Sequence, residues 1–234
     1  MTVQARRSLP ERYYTPWRPL LLDASKDVLV PGAAILDIGS GRTPAIPVDL
    51  RPQNCHYVGL DISLEELTKA PAGAYSQAVV GDATCLESTL VGRFDLVVTW
   101  QVLEHVESTQ KALDCMHAYL KPGGRMVSML SGKNTLFAIP NRIVPHRVAV
   151  FAMEQLLNRP PKSVFPAHYN LCSYDELGKA LETWSERDIR CIWRGAGYLG
   201  FNRPLQQLYL AFEDRAGAAN LRNLATHYLI VANR

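Results

Sequence analysis

Short apolar runs, each closed by a glycine or an acidic residue, alternate with stretches of helical period over the first half of the chain. Ala33 to Ile38 is such a run, and it stops abruptly at Gly39-Ser40-Gly41. A continuous apolar run this short, bounded by glycines, reads as a strand buried on both faces, as in a parallel sheet. Comparable runs follow at His56 to Asp61, Gln77 to Asp82, Phe94 to Trp100 and Arg125 to Leu130. Helix starts lie between them. Ser63-Leu64-Glu65-Glu66 fits a capping box, in which the serine hydroxyl and the Glu66 carboxylate each satisfy a free backbone donor. From Glu107 to Leu120, Ala112, Leu113, Met116 and Leu120 recur at helical spacing, and Lys121-Pro122-Gly123-Gly124 stops the helix. Strand alternating with helix predicts a parallel sheet, wound right-handedly, with helices on both faces.

The pattern changes between Ser131 and Asn170, where Pro140, Pro145, Pro160, Pro161 and Pro166 interrupt apolar and basic residues. This segment is expected to be an insertion after the fifth strand, not another strand and helix. Ser173-Tyr174-Asp175-Glu176 then opens a second capping-box helix ending near Trp184. Ile189 to Trp193 and His227 to Ala232 read as two late strands, with a helix from Pro204 to Glu213 between them. No repeat, low-complexity tract or linker divides the chain, so residues 1–234 are read as a single domain.

Composition narrows the function classes. With 234 residues, 47% hydrophobic, 20% charged and a formal net charge of +3, the chain is that of a globular protein large enough for its own core. The apolar runs stay far below the roughly 18 residues of a membrane span, and Met1 to Leu9 lacks the apolar core of a signal peptide. Cys55, Cys85, Cys115, Cys172 and Cys191 are scattered, without a C-x-x-C pair. These features predict a cytoplasmic protein. Arg6-Arg7 is the one adjacent basic pair, and no basic face or stacking motif predicts a nucleic-acid partner.

The chemistry concentrates at strand ends. Gly39-Ser40-Gly41 follows the first strand, and Asp61 closes the second, 20 residues after Gly41. Glycines let backbone approach a ligand, and a carboxylate at the second strand end can accept both hydroxyl protons of a ribose. A glycine turn alone is equally a structural turn. A dinucleotide would need a third glycine and a helix start at the pyrophosphate; Pro44 stands there instead, and Pro44, Pro47 and Pro52 exclude a long regular first helix.

Asp37 before the glycines, Asp61, Gly81-Asp82-Ala83, the exit of the fourth strand at Trp100-Gln101-Val102-Leu103-Glu104-His105 and Leu120-Lys121-Pro122-Gly123-Gly124 form an ordered set. At these residues the chain resembles the class I S-adenosylmethionine-dependent methyltransferases, in particular the branch holding ubiquinone and menaquinone biosynthesis enzymes and natural-product methyltransferases. The resemblance spans about residues 33–131. It implies a Rossmann-like, mostly parallel seven-stranded sheet with a late antiparallel hairpin. It also implies that Gly39 and Gly41 pass beneath the methionine part of the cofactor, with Asp37 orienting that turn and the ammonium group. Asp61 would hold the ribose, Ile62 the adenine face, Asp82 the adenine amino group and the Ala83 amide a ring nitrogen. Trp100 and Gln101 would lie along the methionine and methyl group, although Trp100 reads equally as a core aromatic.

Methyl transfer needs alignment, exclusion of water and, for a hydroxyl acceptor, a base. His105 and His168 are the candidate bases; each reads also as a scaffold or loop histidine. Gln101, Glu104, His105 and His168 resemble in order the metal cluster of the small-RNA terminal 2′-O-methyltransferases, but an amide in the first place suits a hard cation poorly, so no metal is expected. The segment Glu11 to Arg18, with Tyr13, Tyr14, Trp17, Arg12 and Arg18, resembles a lid over the cofactor within residues 1–30, or else packs on the sheet for stability. The insertion at residues 131–170 is expected to cover a small-molecule acceptor such as a secondary metabolite, glycan or lipid intermediate. There Arg142, Arg147, Arg159 and Lys162 would pair with phosphate or carboxylate. Its apolar residues could equally close the core or form a homodimer contact. The competing function is a methyltransferase-like binding module, or an enzyme using the same cofactor site for other chemistry.

Overall fold

The computed structural model describes residues 9–136, 138–139 and 167–234. Seven strands form one sheet: β1 (Ala34–Ile38), β2 (His56–Asp61), β3 (Gln77–Val80), β4 (Phe94–Trp100), β5 (Leu120–Ser131), β6 (Glu186–Ile192) and β7 (His227–Asn233). Their order is β3-β2-β1-β4-β5-β7-β6. The first five run parallel, whereas β7 lies antiparallel to both β5 and β6. This is the expected Rossmann-like arrangement with its late hairpin.

The described helices are α1 (Arg18–Ser25), α2 (Leu64–Thr68), α3 (Thr109–Tyr119), α4 (Tyr174–Ala180) and α5 (Arg203–Ala218). Alternation along the strands splits the core into two layers. Leu36, Ile38, Val97, Met126 and Leu130 face one side, where they pack with Leu113 and Met116 of α3 and Leu177 of α4. Ile35, Leu96, Val98, Val127 and Met129 face the other, against Leu21 of α1. Helices therefore cover both faces.

Several local expectations change. The Ser63 hydroxyl accepts from the Glu66 amide at 3.2 Å, but the Glu66 carboxylate, instead of closing a capping box, takes both sides of the Arg42 guanidinium at 2.5 and 2.6 Å. In the second predicted box the Ser173 hydroxyl is held by the Glu176 carboxylate and caps no backbone amide; α4 ends at Ala180, short of Trp184. Leu120 to Gly124 does end α3, yet it is already extended and belongs to β5, joining β4 through the Phe94–Leu120 pair. Conversely β3 stops at Val80, so Gly81 and Asp82 leave the sheet. The proline-rich stretch after Gly41 forms one short 3-10 turn, Val48–Leu50, and no first crossover α-helix.

Most of the expected insertion, including Arg142, Arg147, Arg159 and Lys162, lies outside the described residues. So do residues 1–8 of the expected lid segment.

Candidate cofactor site

The strand order reverses between β1 and β4, which is where open parallel sheets bind ligands at their carboxyl ends. A cavity of about 410 Å³ opens at that edge, within the range of small-molecule sites. Gly39, Asp61, Ile62, Asp82, Ala83, Trp100, Gln101, His105 and His168 all line it. Nine of the eleven expected site residues thus meet in one place. Trp100 lines the cavity and also packs on the α1-side core.

The remaining two lie beneath. Gly41, at φ 47°, sits behind the lining, close enough to Asp61 that a Cβ there would touch its Oδ2 at 3.4 Å. Asp37 is 1% exposed and works from below the turn. Its Oδ2 accepts from the Ala45 amide at 2.7 Å and from the Tyr57 hydroxyl at 2.7 Å, so it ties β1, β2 and the stretch after the glycine turn together. Burial pushes its carboxyl up to about 7, against the lowering effect of those two hydrogen bonds. Because this value lies above the ordinary 3.8, the folded state holds a proton that the unfolded chain releases. Stability contributed by protonated Asp37 is full below about pH 4 and declines as pH rises to about 7, on the order of 1 kcal/mol per pH unit. Asp37→Asn should flatten that part of the profile, read as the urea midpoint against pH; an unaltered slope would place the titration elsewhere.

The glycine turn is fixed by two constraints. The Gly39 amide donates to the Leu60 carbonyl at 2.7 Å, locking the turn to β2. Gly39 has φ 70°, and a Cβ built on it would lie 2.3 Å from Cγ2 of Val102. Only glycine satisfies both the left-handed backbone and the space. Asp61 Oδ1 accepts the Ser63 amide at 2.8 Å, and Asp82 Oδ1 accepts both the amide and the hydroxyl of Thr84 at 2.8 Å. Such short-range turns hold each carboxylate in place at its strand exit. Ile62, 69% exposed, presents an apolar face beside Asp61.

Six lining residues had no site role in the sequence reading, although Gly81 and Val102 stand within its motifs: Leu60, Gly81, Thr84, Val102, Val106 and Glu107. Thr84 was recoverable from the Asp82-Ala83-Thr84 turn pattern. Gln101 was expected, but its backbone was not: it adopts φ 54°, held there by its amide donating to the Met129 carbonyl at 2.7 Å. A non-glycine residue in that region persists where its surroundings impose it, commonly at a ligand site.

Beside the cavity, Glu104 joins three segments. Its carbonyl accepts the His168 and Tyr169 amides at 2.8 and 3.0 Å, and its buried carboxylate accepts the Ser131 amide at 3.1 Å. Burial raises the Glu104 carboxyl above the usual range. Oε1 of that carboxylate is the oxygen on Ser131, whereas Oε2 is buried without a hydrogen-bond partner, and the residue is absent from the cavity lining.

The described start of the N-terminal segment packs against α5 and the stretch after β6. Arg12 pairs with Asp214 at 2.7 Å and bonds the Trp193 carbonyl, while the Tyr13 hydroxyl bonds Glu213 of α5. None of the described residues 9–30 lines the cavity.

A strand-edge cavity with two fixed carboxylates, a glycine cradle and an aromatic wall suits an adenosyl group carrying an amino-acid tail, and this structure fits S-adenosylmethionine. The methyltransferase-domain family model matches residues 9–198, and the chain belongs to that family. Among curated proteins it is 27% identical over 205 residues to the demethylmenaquinone methyltransferase of Renibacterium salmoninarum, covering 85% of this chain and 81% of that one. It is also 27% identical over 192 residues to the ubiquinone biosynthesis O-methyltransferase of Xylella fastidiosa, covering 76% and 77%. Among solved structures, the geranyl diphosphate C-methyltransferase of Streptomyces coelicolor, bound to S-adenosyl-L-homocysteine, matches with TM-score 0.61 and 13% identity over 93% of this chain and 74% of that chain. Phosphoethanolamine N-methyltransferase 2 of Haemonchus contortus, bound to S-adenosyl-L-methionine, matches with TM-score 0.56 and 13% identity over 93% and 52%. The protein is an S-adenosylmethionine-dependent methyltransferase.

Proposed function

We propose that this chain methylates a hydroxyl group of a small molecule, with His105 and His168 at the acceptor end of the cavity. The observation that carries the reading is their convergence: one precedes the insertion and the other follows it, yet both line the cavity, and the Glu104 carbonyl anchors the His168 backbone. When bound, S-adenosylmethionine supplies an electrophilic methyl group on a sulfonium. Asp61 would accept the ribose hydroxyls, and Asp82 with the Ala83 amide would meet the adenine edge. Gly39 and Gln101 would follow the amino-acid tail, and Asp37 would hold the turn from beneath. One of the two imidazoles would take the proton of the acceptor hydroxyl. The name of the Xylella relative, an O-methyltransferase of ubiquinone biosynthesis, supports oxygen as the methylated atom. We also place the enzyme in the cytoplasm. All five cysteines are free thiols, and among the described residues no helix is long and apolar enough to cross a membrane.

The test is turnover of a phenol and catechol panel, followed as S-adenosylhomocysteine release. Replacing the active base with alanine should lower kcat about 10²–10⁴-fold while S-adenosylhomocysteine affinity stays within about twofold. If His105→Ala and His168→Ala both retain parental kcat, neither imidazole is the base. Folded protein that binds cofactor and methylates nothing in the panel would favour a binding module.

A further inference from the structure

Beside the cofactor cavity a carboxylate is buried with one oxygen unpaired. Glu104 is 3% exposed and immediately precedes His105, which lines the cavity. Among the described residues, its Oε2 is the one buried carboxylate oxygen without a hydrogen-bond partner, while Oε1 accepts the Ser131 amide at the end of β5. A buried carboxylate is costly unless charge or hydrogen bonds compensate it, so an orphan oxygen calls for a reason. The chain around it is firmly held. The Glu104 carbonyl takes the His168 and Tyr169 amides, the Thr109 hydroxyl bonds the Asn170 carbonyl, and the Lys133 amide bonds the Cys172 carbonyl at 2.8 Å. Within that stretch Tyr169 and Leu171 keep left-handed backbone, at φ 51° and 52°, which non-glycine residues do where their surroundings impose it. Glu104 is thus clamped between the exit of β4, the end of β5 and residues 168–172.

The charges around the carboxyl narrow what can offset it. Burial raises it, and the charge of His105 lowers it again. From residues 168–172 the facing group is Cys172, 0% exposed, whose thiol is pushed up by burial and then by the Glu104 charge, and so stays neutral near pH 7. Beyond the end of β5, Lys133 spends its charge on Glu176 of α4. His168 reaches the same cavity from the other side of the clamp. His105 is the cation whose charge acts on Glu104.

We propose that Glu104 is a positioning residue for the methyl-transfer reaction, which makes His105, and not His168, the base by holding a negative charge beside an imidazole that must become positive. The acceptor O–H bond gives its proton to that imidazole and leaves its electron pair on the oxygen; the carboxylate stabilises the imidazolium so formed. Opposite charges act more strongly away from water, which is why a buried carboxylate serves here better than an exposed one. This rests on the hydroxyl-methylation reading and chooses between its two imidazoles.

The experiment is the pH profile of kcat for the full chain, with the member of the phenol and catechol panel that the parent turns over fastest. Parental kcat should rise with pH as the base loses its proton, and this rise should vanish in His105→Ala and persist in His168→Ala. Glu104→Gln keeps the shape and an acceptor for the Ser131 amide but removes the charge. Because the carboxylate favours the protonated ring, its loss should move the rise about one pH unit or more to lower pH and lower the plateau about three- to tenfold. In the His105→Ala background the same change should alter kcat by less than about twofold. A purely structural role would lower the rate alike at every pH. A rise that stays at the parental pH in folded Glu104→Gln, or one that vanishes in His168→Ala and persists in His105→Ala, overturns the assignment. The second comparison leaves Glu104 in place, so it decides the matter even if Glu104→Gln misfolds. Absence of parental turnover across the panel sinks the hydroxyl-methylation reading itself, and this assignment with it.

Discussion

Gly39→Ala should cost roughly 2–5 kcal/mol of stability and most of the affinity for S-adenosylhomocysteine. Two independent effects add. A left-handed non-glycine residue costs about 1–2 kcal/mol, and the new methyl would overlap Cγ2 of Val102, 2.3 Å away, at the cavity wall. The two are separable. Val102→Ala removes the obstructing methyls, so the double variant should retain the backbone cost alone and regain about half or more of the loss. Urea denaturation of the four proteins of the cycle gives the stability term, and calorimetry gives the cofactor term. If Gly39→Ala unfolds at the parental midpoint, the turn is not constrained as the structure describes it.

Asp61→Ala should weaken S-adenosylhomocysteine roughly ten- to hundredfold, the magnitude of hydrogen bonds made to a charged group. Its effect on stability should be small, because Asp61 is only partly buried and its one local duty is the Ser63 amide at 2.8 Å. That contrast makes the variant informative: a large change in binding with little change in unfolding separates ligand recognition from scaffolding. Affinity within twofold of the parent would remove Asp61 from the ribose site.

The fold was legible because its strands are short apolar runs with clear ends. β2 and β4 fall where the pattern put them, and the glycine turn and both strand-end aspartates could be read without any long-range contact. What remained hidden depends on partners distant in sequence. Glu66 completes a capping box on local rules, but Arg42, 24 residues earlier, offers two charge-assisted bonds and takes the carboxylate. The resemblance gave Asp37 a part in orienting the turn and the ammonium group; that it is buried beneath the turn, bonded to Ala45 and Tyr57, follows only from the packing. The backbone of Gln101 follows from β5, and no pattern near Gln101 announces it. Arg12 and Tyr13 could not be assigned from their neighbours, since their partners Asp214 and Glu213 lie some 200 residues away.

The position of β7 sets the order in which the molecule can be completed. β7 is the latest strand in the sequence, yet it sits between β5 and β6 and bonds to both. During synthesis β5 therefore leaves the ribosome with one edge unsatisfied, and β6 has no neighbour in the sheet at all until His227 and the residues after it have emerged. The cofactor cavity belongs to strands made much earlier, whereas the place of β6 in the sheet depends on the arrival of β7. A nascent chain halted before His227 would expose the β5 edge, a template for pairing with another such chain. Translation must run on through β7 before β6 can join the sheet.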